Sequence, residues 1–406
     1  MRVYKNNAQV RPDTVPPADD YFYIENDYNA YFYIDLHYMY GSNPPASLEI
    51  SYDKNSRSDY TLWNALRLLP WERVYWRNKS TTQTQFSSFG EYYSFELLSP
   101  GTWPQVKVWW DVNYLLCKNS TTDLTASWSY CFYRLFADFP ITSVPSLPAT
   151  TLTEWCYYSM FDDCGRITTP PILPATTLSE HCYAYMFYQC TSLTSAPQLP
   201  ATTMVEECYN SMFAWCTSLT SAPNLPATTL AKWCYWNMFS RCTSLTSAPS
   251  LPVTTLADEC YIGMFSWCSS LTSAPQLPAT TLVDSCYVQM FAQCSSLTTP
   301  PSIPATTTGV MCCFGMFANC TGLASIPALY SLTLEYWCYE DMFYGCTNIK
   351  LSETQTWEYQ TPYRIPITWT WVDDFSTSGT FSNTWWTFAS SPSVNTTYYT
   401  SNTIIS

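Results

Sequence analysis

Nineteen cysteines are the first chemistry this chain offers. Sixteen fall in pairs eight residues apart, from Cys156/Cys164 to Cys338/Cys346, and each pair recurs 26 residues later. Paired thiols can form disulfides, bind zinc or act as nucleophiles. Residues eight apart on a helix are about 12 Å apart, beyond the roughly 7 Å between Cα atoms that a disulfide spans. Bridges between neighbouring helices meet the same limit. No Cys-x-x-Cys spacing occurs, and there are two histidines, His37 and His181, too few for a common zinc site. Neither suggests a Ser/His/Asp or Cys/His arrangement, and His181 reads as a surface residue at a variable position. The acidic pairs Asp162-Asp163 and Asp373-Asp374 lack a calcium ligand loop and a matched glycosidase carboxylate, so they read as solvated surface acids. The thiols are expected to be a ladder of small, buried, reduced side chains. Cys313, beside Cys312 where other copies have Tyr, reads as a gap-filler. No catalytic residue, no cofactor and no metal ligand is expected.

These cysteines sit in one sentence written eight times. Copies start at Leu147, Leu173, Leu199, Leu225, Leu251, Leu277, Ile303 and Leu329, a fixed step of 26 residues. A strict period of this size means a solenoid whose units stack on their neighbours. The 406 residues are 47% hydrophobic and only 12% charged, so hydroxyls and amides must cover much of the surface. A net charge of −14 with 17 Lys plus Arg disfavours a grip on nucleic acid or on anionic membranes. No stretch of about twenty apolar residues predicts a membrane span. The first residues, from Met1, lack the apolar core of a secretory leader, which favours delivery by lysis, as for virion parts.

Within a copy, Leu152, Cys156, Met160 and Cys164 lie four apart, with Tyr157 and Phe161 beside them. That spacing predicts one helical face. Thr151 with Glu154 matches a capping box, as do Thr177/Glu180 and Thr203/Glu206. The following Leu-Thr-Ser-Ala-Pro predicts a short strand, stacked in parallel about 4.8 Å from its neighbours. Helices need about 8–10 Å, so the array is expected to curve. The predicted class is therefore an α/β solenoid, a leucine-rich-repeat-like array of eight 26-residue repeats between β-rich modules. Its variable slots carry Trp155, Trp215, Trp233, Trp236, Trp267 and Trp337. These are the candidate ligand-facing aromatics, able to stack on sugar faces or anchor a protein; the plainer reading is packing between repeats.

Residues 1–120 read as a β-rich, sandwich-like module. Segments such as 20–25, 30–35, 73–77 and 93–97 are aromatic, β-branched or alternating, with turn clusters at 41–45 and 53–56 between them. Residues 121–146 read as a degenerate capping repeat: Cys131 to Phe136 keeps the spacing of Cys156 to Phe161, Phe139 stands near the second Cys position, and the segment is one residue short. The array covers 147–354. Residues 355–406, with Trp357, Trp369, Trp371, Trp385 and Trp386, read as a β-rich C-terminal cap.

The wording resembles the BspA-type leucine-rich repeat proteins, a surface-protein family of gut and oral bacteria and of their phages. The carrying residues are the Leu-Pro-Ala-Thr-Thr-Leu and Cys-Tyr-x-x-Met-Phe-x-x-Cys-Thr-Ser-Leu-Thr-Ser-Ala-Pro segments, and Cys131 to Phe136. Residues 48–52 and 106–108 resemble the β segment before such arrays, and 378–381 the tail after them. The resemblance implies a right-handed leucine-rich repeat arc that serves adhesion or recognition, with no catalytic residues to carry over. The expected function is a non-enzymatic phage virion surface component (head fibre, decoration or tail adhesin) binding a host-surface glycan or protein. Its N-terminal module would meet other virion proteins or sister subunits. The alternative is a bacterial cell-surface adhesin for host matrix protein or glycan. No nucleic-acid partner and no membrane insertion are expected.

Overall fold

The structure is a computed structural model that describes residues 22–26, 32–39, 48–51, 58–59, 66–68, 73–78, 92–98, 106–109, 129–331, 334–352, 354–364, 385–386 and 397–405. Cys117, Trp369, Trp371, Asp373, Asp374, residues 378–381 and the turn clusters at 41–45 and 53–56 lie outside the described residues.

Among the described residues there is no helix, so the helical half of the expected repeat is wrong. The segment 155–164 is instead a rung of overlapping reverse turns. Cys156, Tyr158, Met160, Asp162 and Cys164 each donate their N–H to the carbonyl three residues back. The residues between them donate across to the next repeat: Trp155 to Glu180, Tyr157 to Cys182, Ser159 to Ala184, Phe161 to Met186 and Asp163 to Tyr188, at 2.8–3.0 Å. A helix would keep every one of these bonds inside its own segment. Here half the donors of a rung bind the neighbour, so both sets of backbone groups are satisfied without a helix.

Every fourth residue of a rung is left-handed, as at Trp155 (φ 58°), Ser159 (φ 50°) and Asp163 (φ 55°). Three such slots in each of nine rungs hold all 24 non-glycine residues and all three glycines of positive φ among the described residues. A left-handed third residue belongs to type II turns. It crowds a branched Cβ against the backbone, and no slot holds Val, Ile or Thr. Side chains therefore run two in, two out, except at the middle slot, where Ser159 and Ser211 are buried. Cys156, Tyr157, Met160, Phe161 and Cys164 are buried, whereas Trp155, Tyr158, Asp162 and Asp163 reach the surface.

Other details change with the helix. The Thr151/Glu154 pair caps nothing: Thr151 bridges Thr177 in parallel, and the Thr150 carbonyl accepts the N–H groups of Thr176 and Thr177. The Leu-Thr-Ser-Ala-Pro segments do stack in parallel, as single bridges such as Ser195 to Ser221 and Ser247 to Ser273. Backbone bonds now set the spacing on both sides of a repeat at about 4.8 Å. The helix width that would have bent the array is absent.

Packing follows from this spacing. Phenyl rings from Phe136 through Phe161 to Phe343 form one column, with centroids 5.5–5.7 Å apart and planes within 16°. A second column runs from Phe132 and Tyr157 to Tyr287, where Cys313 takes the ring's place. Such stacks add about 0.5–1.5 kcal/mol per pair beyond burial. Residues 130–139 join at an offset of 25, which accommodates the missing residue: Phe132 lies on Tyr157, Phe136 on Phe161, and Phe139 is buried beside Phe136.

Among the described residues nine strands precede the full repeats: β1 (Phe22–Asn26), β2 (Phe32–Met39), β3 (Leu48–Ser51), β4 (Ser58–Asp59), β5 (Leu66–Leu68), β6 (Arg73–Asn78), β7 (Tyr92–Leu98), β8 (Val106–Trp109) and β9 (Ile141–Ser143). They form a sheet ordered β4-β3-β6-β1-β8-β9 and a sheet ordered β5-β2-β7. Trp76 of the first meets Phe95 of the second edge to face, with centroids 5.3 Å apart. Phe95 also donates its N–H to Leu135 and stacks on Phe136 at 5.4 Å, so it extends the phenyl column. β8 pairs in parallel with β9.

At the other end lie β10 (Ser325–Pro327), β11 (Lys350–Ser352), β12 (Thr361–Arg364), β13 (Trp385–Trp386), β14 (Thr397–Thr400) and β15 (Thr403–Ile405). A sheet ordered β12-β14-β11-β13 continues the last repeat, and β15 pairs in parallel with β10. Asn402 ties the two together, donating to Ala324 and Asn348 and accepting from Lys350.

The turn rung and a helix predict opposite results at Gln289, an exposed slot with φ 50°. Gln289→Gly should leave the unfolding midpoint unchanged or raise it. Gln289→Val should cost about 1–2 kcal/mol. In a helix glycine would be the worse of the two, so a lower midpoint for Gly than for Val in denaturant titration would count against the rung.

Candidate recognition columns

The cysteines are placed for packing. All 18 among the described residues are free and buried. The second cysteine of each copy donates its S–H to the Phe carbonyl of the preceding repeat, at 2.9–3.1 Å, from Cys164 to Phe136 through Cys346 to Phe317. Distance does not keep the thiols apart, as the helical reading supposed, because equivalent cysteines stand one backbone spacing apart. Burial pushes the Cys182, Cys234 and Cys320 thiols up to about 12. A thiol is nucleophilic or metal-binding only as the thiolate, so at neutral pH these are packing groups. Among the described residues no cluster of three or more His, Cys, Asp or Glu is placed to hold a metal ion.

The first and third left-handed slots of each rung form columns on the surface. The first holds Trp155, His181, Glu207, Trp233, Glu259 and Trp337 at equivalent positions. Trp155 is half-buried between Tyr130, at 5.3 Å, and the His181 ring, at 3.8 Å. His181 is therefore not the surface residue expected; its ring is sandwiched into the column, with Nδ1 3.2 Å from Glu207 Oε2. This contact, foremost, and the Asn210 amide draw the Glu207 carboxyl below its ordinary range. Trp233 donates Nε1–H to Glu259 and carries the Lys232 ammonium 3.9 Å above its ring. Trp236 is half-buried near Trp233, and Trp337 is half-buried against Tyr336. Four of the six candidate tryptophans are thus largely engaged in packing.

Trp215 and Trp267 differ. They occupy a second column, in the slot before the second cysteine, and remain 39% and 43% exposed. Between them stands Arg241, with Cζ 4.2 Å from the Trp215 centroid and 4.4 Å from that of Trp267. The three form one cation–π stack, each contact contributing about 0.5–1 kcal/mol at an exposed site. The same column begins with acids. Asp162, beside it, accepts from Arg134 at 2.9 Å and is not a freely solvated surface acid. Burial foremost raises the pKa of Asp162, and burial and Asp138 raise that of Asp163. Attention to aromatics alone missed Arg241; a cation between two Trp at 26-residue steps was the available signal.

No family model, curated protein or solved structure matches the chain.

The raised thiols make stability sensitive to alkali. Their folded pKa lies above the unfolded value near 8.5, so the folded state holds protons that the unfolded state releases. The stabilisation is complete below about pH 8.5 and is lost as pH rises towards about 12 for Cys182, Cys234 and Cys320. Each such thiol lowers stability by about 1.4 kcal/mol per pH unit in that window. Melting curves at pH 7, 9 and 10 should show a falling midpoint, matched by thiol-reagent labelling only after unfolding. A midpoint flat to pH 10 would contradict the buried ladder.

Proposed function

We propose that the chain is a non-enzymatic recognition protein, a leucine-rich-repeat-like solenoid of BspA type displayed on a phage particle and binding a host-surface glycan or protein. The observation that carries the reading is the division of every rung. Its constant residues are buried in continuous columns, and the variable residues of its first and third left-handed slots reach the surface in all but Gly345. The variable slots include the exposed Trp215 and Trp267, and exposed aromatic groups of this kind suit contact with a partner. The thiols among the described residues are buried packing groups, which supports binding rather than catalysis. Placement on a phage follows the resemblance of the repeat wording. Within it, the N-terminal strands are the module that meets virion proteins or sister subunits.

Two measurements test this. Mass spectrometry of purified phage particles should find the chain, and particles without it would remove the virion placement. The fluorescently labelled chain should decorate host cells. Trp215→Ala with Trp267→Ala should weaken decoration by about tenfold or more, since central aromatic anchors contribute about 2 kcal/mol or above, while the melting temperature stays within a few degrees. Failure of the unaltered chain to bind any host surface would refute the recognition reading.

A further inference from the structure

The Trp215–Arg241–Trp267 stack holds a cation in place between two rings. Among the described residues no carboxylate lies within 4.0 Å of the Arg241 guanidinium, whereas Arg134, Lys232 and His181 each face an acid. In a chain of net charge −14 such an unneutralised cation is unusual. Its surroundings define its geometry. A ring lies on either side of it, 4.2 and 4.4 Å away. The outward edge, with its planar fork of N–H donors, is the part left to interact. That fork matches two oxygens of a carboxylate and cannot lose its charge near neutral pH.

We propose that this edge binds the carboxylate of an acidic sugar in a host-surface glycan; the inference rests on the recognition reading above. Three features select this ligand among anions. The next slots of the column on either side are Gln189 and Gln293, neutral amides that both donate and accept, as sugar hydroxyls require. The half-buried Ser240 hydroxyl lies next to Arg241 in sequence. The column ends in Asp138 and Asp163, so a polyanion lying along it would meet acid after one cation. One Arg among neutral groups fits a saccharide whose charges are sparse.

The test uses the full chain with sialyllactose, an aldobiouronic acid (one uronate on a neutral sugar) and the carboxyl-reduced form of each, measured by titration calorimetry. The unaltered chain should bind at least one acidic sugar and bind its reduced form about ten- to hundredfold more weakly, the scale of hydrogen bonds to a charged group. Arg241→Gln should show the same loss, and Arg241→Lys most of it, because an ammonium lacks the fork. Trp215→Leu should also weaken binding by freeing the guanidinium, and each variant should keep its melting temperature within a few degrees of the unaltered chain, the scale of the lost cation–π contacts. Equal affinity for acidic and reduced sugars, no binding of any acidic sugar, undiminished binding by Arg241→Gln, or preference for an acidic peptide would each overturn the proposal. Host-cell decoration that survives Arg241→Gln would sink this site alone and leave the recognition reading standing.

Discussion

One residue per repeat ties each rung to the next. The Phe187 ring lies between Phe161 and Phe213. Its N–H goes to the Met212 carbonyl of the following repeat. Its own carbonyl accepts the Cys190 N–H within the rung and the Cys216 S–H from the next. Ring, donor and acceptor therefore set the same register three times. A slip of one residue inside a rung would exchange cross-repeat donors with local ones and move the ring out of its column, much as a one-residue slip inverts a strand. Length changes between rungs carry no such penalty. Residues 130–139 show this: the offset to the next rung is 25, yet all five cross-repeat donors keep their partners because the whole rung moves together.

The same scheme dictates what the surface can carry. Because alternate N–H groups must point to the neighbour, the chain reverses at every second peptide, and the left-handed slot is the geometric consequence. A non-glycine residue there costs of order 1 kcal/mol, so the cross-repeat bonds and ring stacks of each rung must outweigh three such positions. Large unbranched side chains such as Trp155, Arg241 and Gln289 are admitted. β-Branched ones are absent. Variability outside the array is thus a filtered variability, set by Cβ shape before any ligand is considered.

Much of this was legible. The period and the buried letters followed from the sequence because a helix and a turn rung with period four bury the same set. At 100° per residue, Cys156, Tyr157, Met160, Phe161 and Cys164 occupy an arc of about 140°, a plausible helical face. The choice between the two was not legible from burial, since it lies in where the N–H groups go. A clue was present in composition: 11 of the 27 slots hold Ser, Asn, Asp or Gly, a turn vocabulary, and none holds Val, Ile or Thr. The candidate tryptophans were legible as a set. Their separation into packed and exposed members was not, because it depends on the residue 26 positions away. Trp155 has His181 there, and Trp233 has Glu259; Trp215 has Arg241.

That dependence alters what recognition by this surface would mean. At one backbone spacing per repeat, each slot touches its neighbours along the column, so ring faces are taken up by stacking within the protein. The His181 ring covers a face of Trp155, and the Arg241 guanidinium lies against faces of both Trp215 and Trp267. Stacking of a sugar on an open tryptophan face, the mode the sequence first suggests, has little room. What a column presents outward is edges: indole C–H, the guanidinium fork and amide groups. Edges discriminate by direction and hydrogen bonding more than by area, and a rung bonded to its neighbours holds them in fixed positions. Under the proposed function, specificity then belongs to the order of residues along a column, and replacing one slot changes the chemistry of the slots beside it.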